Sequence, residues 1–181
     1  VYSISQTFSL GRNELYRLNP GLSAQERLYP GQVLTTKLED TPNYEAQLMG
    51  YAYPWVSERV LRGMLPYAQA LAPFTYGFTE TGELVRPDDG QMRALAKDFG
   101  VTTLLHLSTL TEQGSFSAQR AGAVLENETA RAALIRNTVR EMRDGGFVGV
   151  DVDFEFLGKA LAASYASFLE ELAAAVHAAG G

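Results

Sequence analysis

The chain has 181 residues, 46% of them hydrophobic, with a formal net charge of −6, which suits one medium domain or two unequal ones. An acidic balance without any basic run argues against a surface that tracks nucleic-acid phosphates or an anionic membrane, so no nucleic-acid partner is expected. With no cysteine there are no disulfides or thiolate metal sites, and no stretch approaches the ~20 apolar residues of a membrane span.

The opening, VYSISQ, has neither an initiator Met nor a basic-then-apolar leader, so the natural N-terminus is expected upstream. Val1, Ile4 and Phe8 fall at helical spacing, and residues 9–22, SLGRNELYRLNPGL, read as a second short helix capped by Ser9 and ended by Asn19-Pro20-Gly21. LYPGQVLTT, residues 28–36, reads as a turn followed by a strand. The polar, aperiodic KLEDTPNYEA places a domain boundary at 39–46.

Beyond that boundary strand-like and helical patterns alternate. Strands are predicted in QLMGYAYP, APFTYGFT, VTTLLHLSTL and FVGVDVDFEF. Helices are predicted in SERVLRGMLPYAQAL, with Pro66 interrupting, in DDGQMRALAKDFG, and in NETARAALIRNTVREMRDGG, with Asn127 or Thr129 as cap and Gly145-Gly146 as stop. The last helix, residues 159–181, carries an apolar stripe of Leu161, Tyr165, Phe168, Leu169, Leu172 and Val176. Strands separated by helices of this length imply right-handed βαβ units and a parallel sheet. Four such units fit a doubly wound sheet or the first half of a (β/α)8 barrel, which typically needs ~250 residues.

The run FVGVDVDFEF, residues 147–156, places three carboxylates in an otherwise apolar strand. Charged side chains are rarely buried unless paired or used. Alternation puts Val148, Val150, Val152 and Phe154 on one face, suited to packing against helices, and Gly149, Asp151, Asp153 and Glu155 on the other. The acidic face is expected to line a site at the C-terminal end of the strand, where barrel enzymes keep their chemistry. Tyr51, Tyr53 and Trp55 alternate onto one face of the first strand, and Phe74, Tyr76 and Phe78 onto one face of the second; of these, Tyr51, Tyr53 and Phe78 are expected to meet a sugar ring. His106 and His177 lack metal-ligand spacing and are read as structural.

GVDVDFE, residues 149–155, resembles the fourth-strand signature D-G-x-D-x-D-x-E of glycoside hydrolase family 18. GYAYPW (50–55) and FTYGFTETGEL (74–84) resemble the family's first strand and its second strand with the following loop. The resemblance implies an α/β fold, a (β/α)8 barrel of which about four units are present, with catalytic Glu155, Asp153 and Asp151 and no metal or cofactor. Glu155 would protonate the glycosidic oxygen, Asp153 would orient the substrate's own N-acetyl group for attack, and Asp151 would couple to Asp153; the family is an exception to the two-carboxylate scheme. Val148 replaces the signature's first Asp, and Phe154 stands where Trp or Tyr is frequent; both departures resemble the branch of spore-cortex-lytic and germination glucosaminidases.

Residues 1–36 resemble a LysM module that lacks its opening strand and Gly-Asp turn. LysM modules bind N-acetylglucosamine-containing glycans in a shallow groove, and the resemblance implies that the loop Asn19–Leu22 forms one side of it, with Asn19 and Leu22 as contacts. The implied organisation is a LysM-like module at 1–38, a linker at 39–46 and the N-terminal half of a family 18 barrel at 47–181. The implied partner is peptidoglycan or chitin-type glycan, met outside a bacterial cell in the wall or spore envelope. A lectin-like wall-binding protein or an inactive truncated fragment is the alternative, and a metal-dependent domain using the Asp151-x-Asp153 pair is a third class, which chelation would single out. A half barrel would leave strand edges and apolar helix faces uncovered, so self-association is expected.

Overall fold

The computed structural model describes residues 1–25, 27–38 and 46–181. Two short helices open the chain, α1 (Tyr2–Thr7) and α2 (Arg12–Leu18). Ser9 does not cap α2: it turns the chain between the helices at φ 55°. Gly11 is the N-cap, and its N–H donates to the Glu14 carboxylate at 3.3 Å. A carboxylate three positions into a helix reaches back to that donor, as in a capping box. At the other end, the Asn19 amide nitrogen donates to the carbonyls of Leu15 and Thr35 (2.9 and 2.8 Å), and its oxygen accepts from the Thr35 N–H at 2.7 Å. This clasp takes the place of the expected strand: the turn Tyr29–Gln32 forms with Gly31 at φ 88°, but residues 32–38 have no strand pairing. The expected linker falls almost wholly outside the described residues.

The strands that follow are β1 (Met49–Ala52), β2 (Ala70–Pro73), β3 (Gly77–Phe78), β4 (Leu84–Val85), β5 (Thr102–Thr103), β6 (Leu105–Ser108) and β7 (Val150–Asp153). β1 pairs with β2, β2 with β5, and β6 with β7, all in parallel. β3 and β4 form a small antiparallel ladder, and a parallel bridge from Tyr76 to Leu107 ties the run after β2 to β6. Four principal runs therefore stand side by side in chain order, with β5 and β6 consecutive pieces of the third. Helices lie in every crossover: α3 (Glu58–Met64), α4 (Gly90–Asp98), then α5 (Ala118–Glu126) and α6 (Glu128–Gly145), with α7 (Ala162–Ala178) after β7.

The end signals of α6 work as the sequence predicts. Asn127 accepts from the Ala130 N–H at 3.1 Å, and Gly146 closes the helix in the left-handed region at φ 71°. α5 was not predicted, because Gly122 interrupts its pattern. That glycine admits a neighbour: a Cβ there would meet Leu161 Cδ1 at 3.0 Å.

Two apolar clusters hold the sheet to its helices. Leu105, Leu107, Val150 and Val152 pack with Leu134, Met142, Phe168 and Leu172, while Ala52 and Leu71 pack with Leu61, Met92, Leu95 and Phe99. Full burial of such a side chain is worth about 1.5–3 kcal/mol. The N-terminal helices dock against the second cluster: Tyr16 lies 5.7 Å from the Phe99 ring, Asn13 donates to the Phe99 carbonyl at 2.6 Å, and Arg17 donates to that of Pro66 at 3.0 Å.

Candidate active site

Alternation along β6 and β7 sends Leu105, Leu107, Val150 and Val152 to the helices and leaves His106, Ser108, Asp151 and Asp153 on the opposite face. The parallel register sets His106 beside Asp151 and Ser108 beside Asp153. Phe154 turns back into the core and stacks on Phe168 and Tyr165 at 5.4 and 5.6 Å, which directs Glu155 outward, exposed, just past the end of β7. Val148 precedes β7 and is half exposed instead of packing with Val150 and Val152.

Asp151 is held from two sides. The Tyr51 hydroxyl on β1 donates to its Oδ2 at 2.9 Å, and His106 Nδ1 lies 2.9 Å from the same oxygen. That hydrogen bond, then partial burial, then the negative charges of Asp151 and Asp153 raise the Tyr51 phenol above its ordinary range, so the hydroxyl keeps its proton and donates. His106 is buried, stacks on the Phe74 ring at 5.0 Å and meets the Tyr51 ring edge-on at 5.2 Å. Its Nε2 has no hydrogen-bond partner among the described residues and lies 3.8 Å from Asp153 Oδ2.

Two clefts meet at this strand end. One, of about 440 Å³, is lined by Tyr51, Tyr53, Phe74, His106, Asp151 and Asp153. The other, of about 410 Å³, is lined by Phe74, Thr109, Phe116, Asp153, Glu155 and Phe156. Asp153 and Phe74 belong to both, so a carboxylate and an aromatic ring form their common wall. At the rim Tyr53 stacks on Trp55 at 4.6 Å with its edge to Phe74 at 5.0 Å. Such a set combines hydrogen-bond acceptors, one exposed carboxyl group and flat apolar faces, the equipment for gripping a polyhydroxylated ring and moving a proton beside it. Among the described residues no three acidic or imidazole groups converge to hold one metal ion.

Of the residues singled out in the sequence, Asp151, Asp153, Tyr51 and Tyr53 meet in the first cleft, and Glu155 lines the second. Phe78 does not belong with them: it is fully buried against Phe154 at 5.2 Å. β2 ends at Pro73, so the alternation that begins at Phe74 does not carry to residue 78; Phe74 faces the clefts while Tyr76 and Phe78 enter the core. Leu22 is also a correction, since at 2% exposure it is a packing residue in the turn beside α3 and presents no surface to a glycan. Asn19 spends both amide hydrogens and its oxygen on the clasp to Leu15 and Thr35. The sequence reading treats His106 as a structural residue, sets Phe74 on an aromatic face without choosing it, and does not single out Phe116. His106 was legible in principle, because aligning VTTLLHLSTL with FVGVDVDFEF as neighbouring strands sets the imidazole on the acidic face.

Residues 1–37 match the LysM domain family. Over 158 residues the chain is 27% identical to a protein of Bacillus subtilis strain 168 named as a sporulation-specific glycosylase, YdhD, and over 114 residues 29% identical to the cortical fragment-lytic enzyme of the same organism. These alignments cover 85% and 63% of this chain but only 37% and 26% of the two relatives, so the chain spans well under half of their length. Among solved structures it is similar to the spore cortex-lytic enzyme SleL of Bacillus megaterium QM B1551, with a TM-score of 0.69 at 21% identity over 98% of this chain and 42% of SleL. It is also similar to a class V chitinase of Pseudomonas fluorescens Pf-5, with a TM-score of 0.67 at 24% identity over 75% of this chain and 43% of that one. The chain thus combines a LysM match with the α/β fold found in SleL and the chitinases.

Proposed function

We propose that this chain is the glycan-recognising and acid-bearing part of a glycoside hydrolase that cleaves N-acetylglucosamine-containing wall glycan, peptidoglycan or spore cortex, by a retaining, substrate-assisted route. Residues 1–38 are read as the LysM-type module, 39–46 as linker and 47–181 as the first half of a (β/α)8 barrel. Curvature supports the barrel. In a flat sheet with strands ~4.8 Å apart, the first and fourth would stand ~14 Å apart with side chains perpendicular to the sheet. Tyr51 on β1 nevertheless bonds Asp151 on β7, which requires the sheet to curl around the carboxylates.

In this reading Glu155 gives its proton to the glycosidic oxygen as the bond from that oxygen to the anomeric carbon breaks. Asp153 accepts a hydrogen bond from the acetamido N–H, and the acetamido carbonyl oxygen attacks the anomeric carbon to give a cyclic oxazolinium ion. Water then opens that ring from the opposite side, yielding its proton to Glu155 and restoring the original configuration. Tyr53, Trp55 and Phe74 supply ring faces for the sugars. The LysM match and the names of the relatives favour a wall or spore-envelope location for the whole protein.

The observation that carries the reading is the position of Asp153, common wall of a cleft that ends on the anchored Asp151 and of one that carries Glu155. The test is digestion of purified vegetative and cortex peptidoglycan by the full natural protein and its Glu155→Gln variant, with fragments identified by mass spectrometry. Fragments with N-acetylglucosamine at the new reducing end are expected, with a rate loss on the order of 10²- to 10⁴-fold in the variant. Binding without release by either form would leave a wall-binding lectin in place of the hydrolase.

A further inference from the structure

His106 is a buried polar group of the first cleft that the proposed chemistry leaves without a task. Its side chain is 2% exposed, and its two ring nitrogens face two different carboxylates of β7, Nδ1 at 2.9 Å from Asp151 and Nε2 at 3.8 Å from Asp153. The nearest hydrogen-bonding groups fix what Nδ1 must be. Asp151 Oδ2 already accepts from the Tyr51 hydroxyl, and an ionised carboxylate oxygen can only accept, so Nδ1 carries a hydrogen and donates.

That assignment leaves Nε2 in one of two states. As a bare lone pair it would be a buried acceptor, without a donor, turned toward a carboxylate that is also an acceptor. A buried acceptor left without a donor is destabilising, because it has given up its hydrogen bond to water and gained none in return. A single proton between Nε2 and Asp153 removes the conflict, resting either on nitrogen as N–H⁺ toward the carboxylate or on oxygen as O–H toward the lone pair. The Asp153 carboxyl on the far side of the 3.8 Å gap is still 43% exposed and faces open cleft, so it has room to turn toward Nε2. The imidazole itself is clamped, by the bond to Asp151, by Phe74 stacked on it and by the Tyr51 ring against its edge.

We propose that His106 is a positioning residue that shares one proton with Asp153 while anchoring Asp151, so that Asp153 is oriented and its charge is compensated from beneath the cleft. This rests on the hydrolase reading and deepens it. When Asp153 accepts the acetamido N–H of a bound sugar it has to be a carboxylate, so the shared proton then resides on His106 Nε2; when the sugar leaves, the proton returns to the shared position. No bond other than N–H and O–H is made or broken, and no further reactant is needed. The titratable groups facing the imidazole are Tyr51 from β1 and Asp151 and Asp153 from β7, with Tyr53 along the same cleft.

The first test needs no substrate. The chain has two histidines, so ¹⁵N spectra of the imidazoles, assigned with a His177→Gln variant, report each ring nitrogen directly. The expected result near neutral pH is a protonated Nδ1 on His106 and an Nε2 signal displaced from the free lone-pair position, moving to that position in Asp153→Asn. A bare Nε2 unaffected by Asp153→Asn, or a bare Nδ1, overturns the proposal. The second test uses the full natural protein on peptidoglycan with His106→Asn, which keeps a donor for Asp151 but has nothing at Nε2, and with His106→Phe, which keeps ring volume alone. Both are expected to lower kcat on the order of 100-fold, with KM little changed and the pH profile of kcat altered. Unchanged kcat and pH profile in His106→Phe would reduce the residue to a space-filler. Because the spectra are recorded without turnover, an inactive native protein would count against the hydrolase reading and leave the proton assignment standing.

Discussion

Tyr76 illustrates how a single side chain ties pH to stability. It is 1% exposed, and its hydroxyl donates at 2.9 Å to Asp89, itself buried and paired with Arg93 at 2.9 Å. Burial first, then the charge of Asp89, push the phenol pKa far above its ordinary range. A group whose folded-state pKa lies above its unfolded value contributes stability that is fully present below the unfolded pKa, ~10 for a phenol, and is lost as pH rises beyond it. Urea melts of native protein should therefore show stability falling steeply above pH ~10. Tyr76→Phe should be less stable by about 1–3 kcal/mol at pH 7, because a buried carboxylate loses a donor, and should lose the Tyr76 part of that alkaline slope. Parallel slopes in the two proteins would contradict the assignment. Residue-scale features of this kind were the least legible in the sequence. The carboxylates announced themselves because charge in an apolar strand is rare, but nothing in APFTYGFT says that Phe74 faces a cleft while Tyr76 and Phe78 enter the core. The end of β2 at Pro73 decides it, and period-two reasoning assumes a strand that continues.

At the level of elements, long periodic segments with clear ends were readable: α6 between its Asn127 cap and Gly146, α4, α7 and the first, third and fourth runs lie where pattern and end signals put them, whereas α3 stops at Met64 and β2 occupies Ala70–Pro73, starting inside the stretch predicted as helix and ending just as the predicted strand begins. What pattern could not supply was a glycine placed for a contact with a distant segment. Gly122 hid α5 because a glycine in a helix interior costs up to ~1 kcal/mol relative to Ala and weakens the pattern, yet it sits where α5 approaches the Leu161 side chain. Gly82 has the opposite constraint: it holds φ +81°, and a Cβ there would overlap the backbone of α6 at Ala130 and Leu134, while its carbonyl accepts from Asn137 at 2.8 Å. The two glycines should respond differently to alanine. Gly82→Ala should cost on the order of 3 kcal/mol, from a left-handed backbone and a clash with atoms that cannot swing aside. Gly122→Ala should stay within about 1 kcal/mol of the native protein, since helix propensity improves and only a flexible leucine tip must move. Chemical denaturation of both variants checks the contrast, and equal losses would mean that the close approach at Gly82 is relieved by backbone movement.

Across the whole molecule, the N-terminal helices and the carboxylate cleft sit at opposite ends of the strands. Tyr16, Asn13 and Arg17 contact Phe99 and Pro66, residues that lead into β5 and β2, whereas Tyr53, Phe74, Asp153 and Glu155 follow or close the other ends. Arg12 and Arg62 add their guanidinium groups over the Phe99 ring at 5.5 and 5.9 Å, worth about 0.5–1 kcal/mol each at such exposure. The N-terminal helices are therefore docked against the strand-entry end of the sheet. Tyr16→Ala removes the main ring contact from the module's own side and should weaken docking by about 2 kcal/mol. Hydrogen exchange is the discriminating measurement, because it reports local opening separately from global unfolding. Amides of α1 and α2 should exchange roughly 30-fold faster in the variant, the factor that 2 kcal/mol sets, while those of β6 and β7 keep their protection. Unchanged exchange in α1 and α2 would show that the polar contacts of Asn13 and Arg17 hold the module without the ring, and faster exchange throughout would show that module and sheet unfold as one unit.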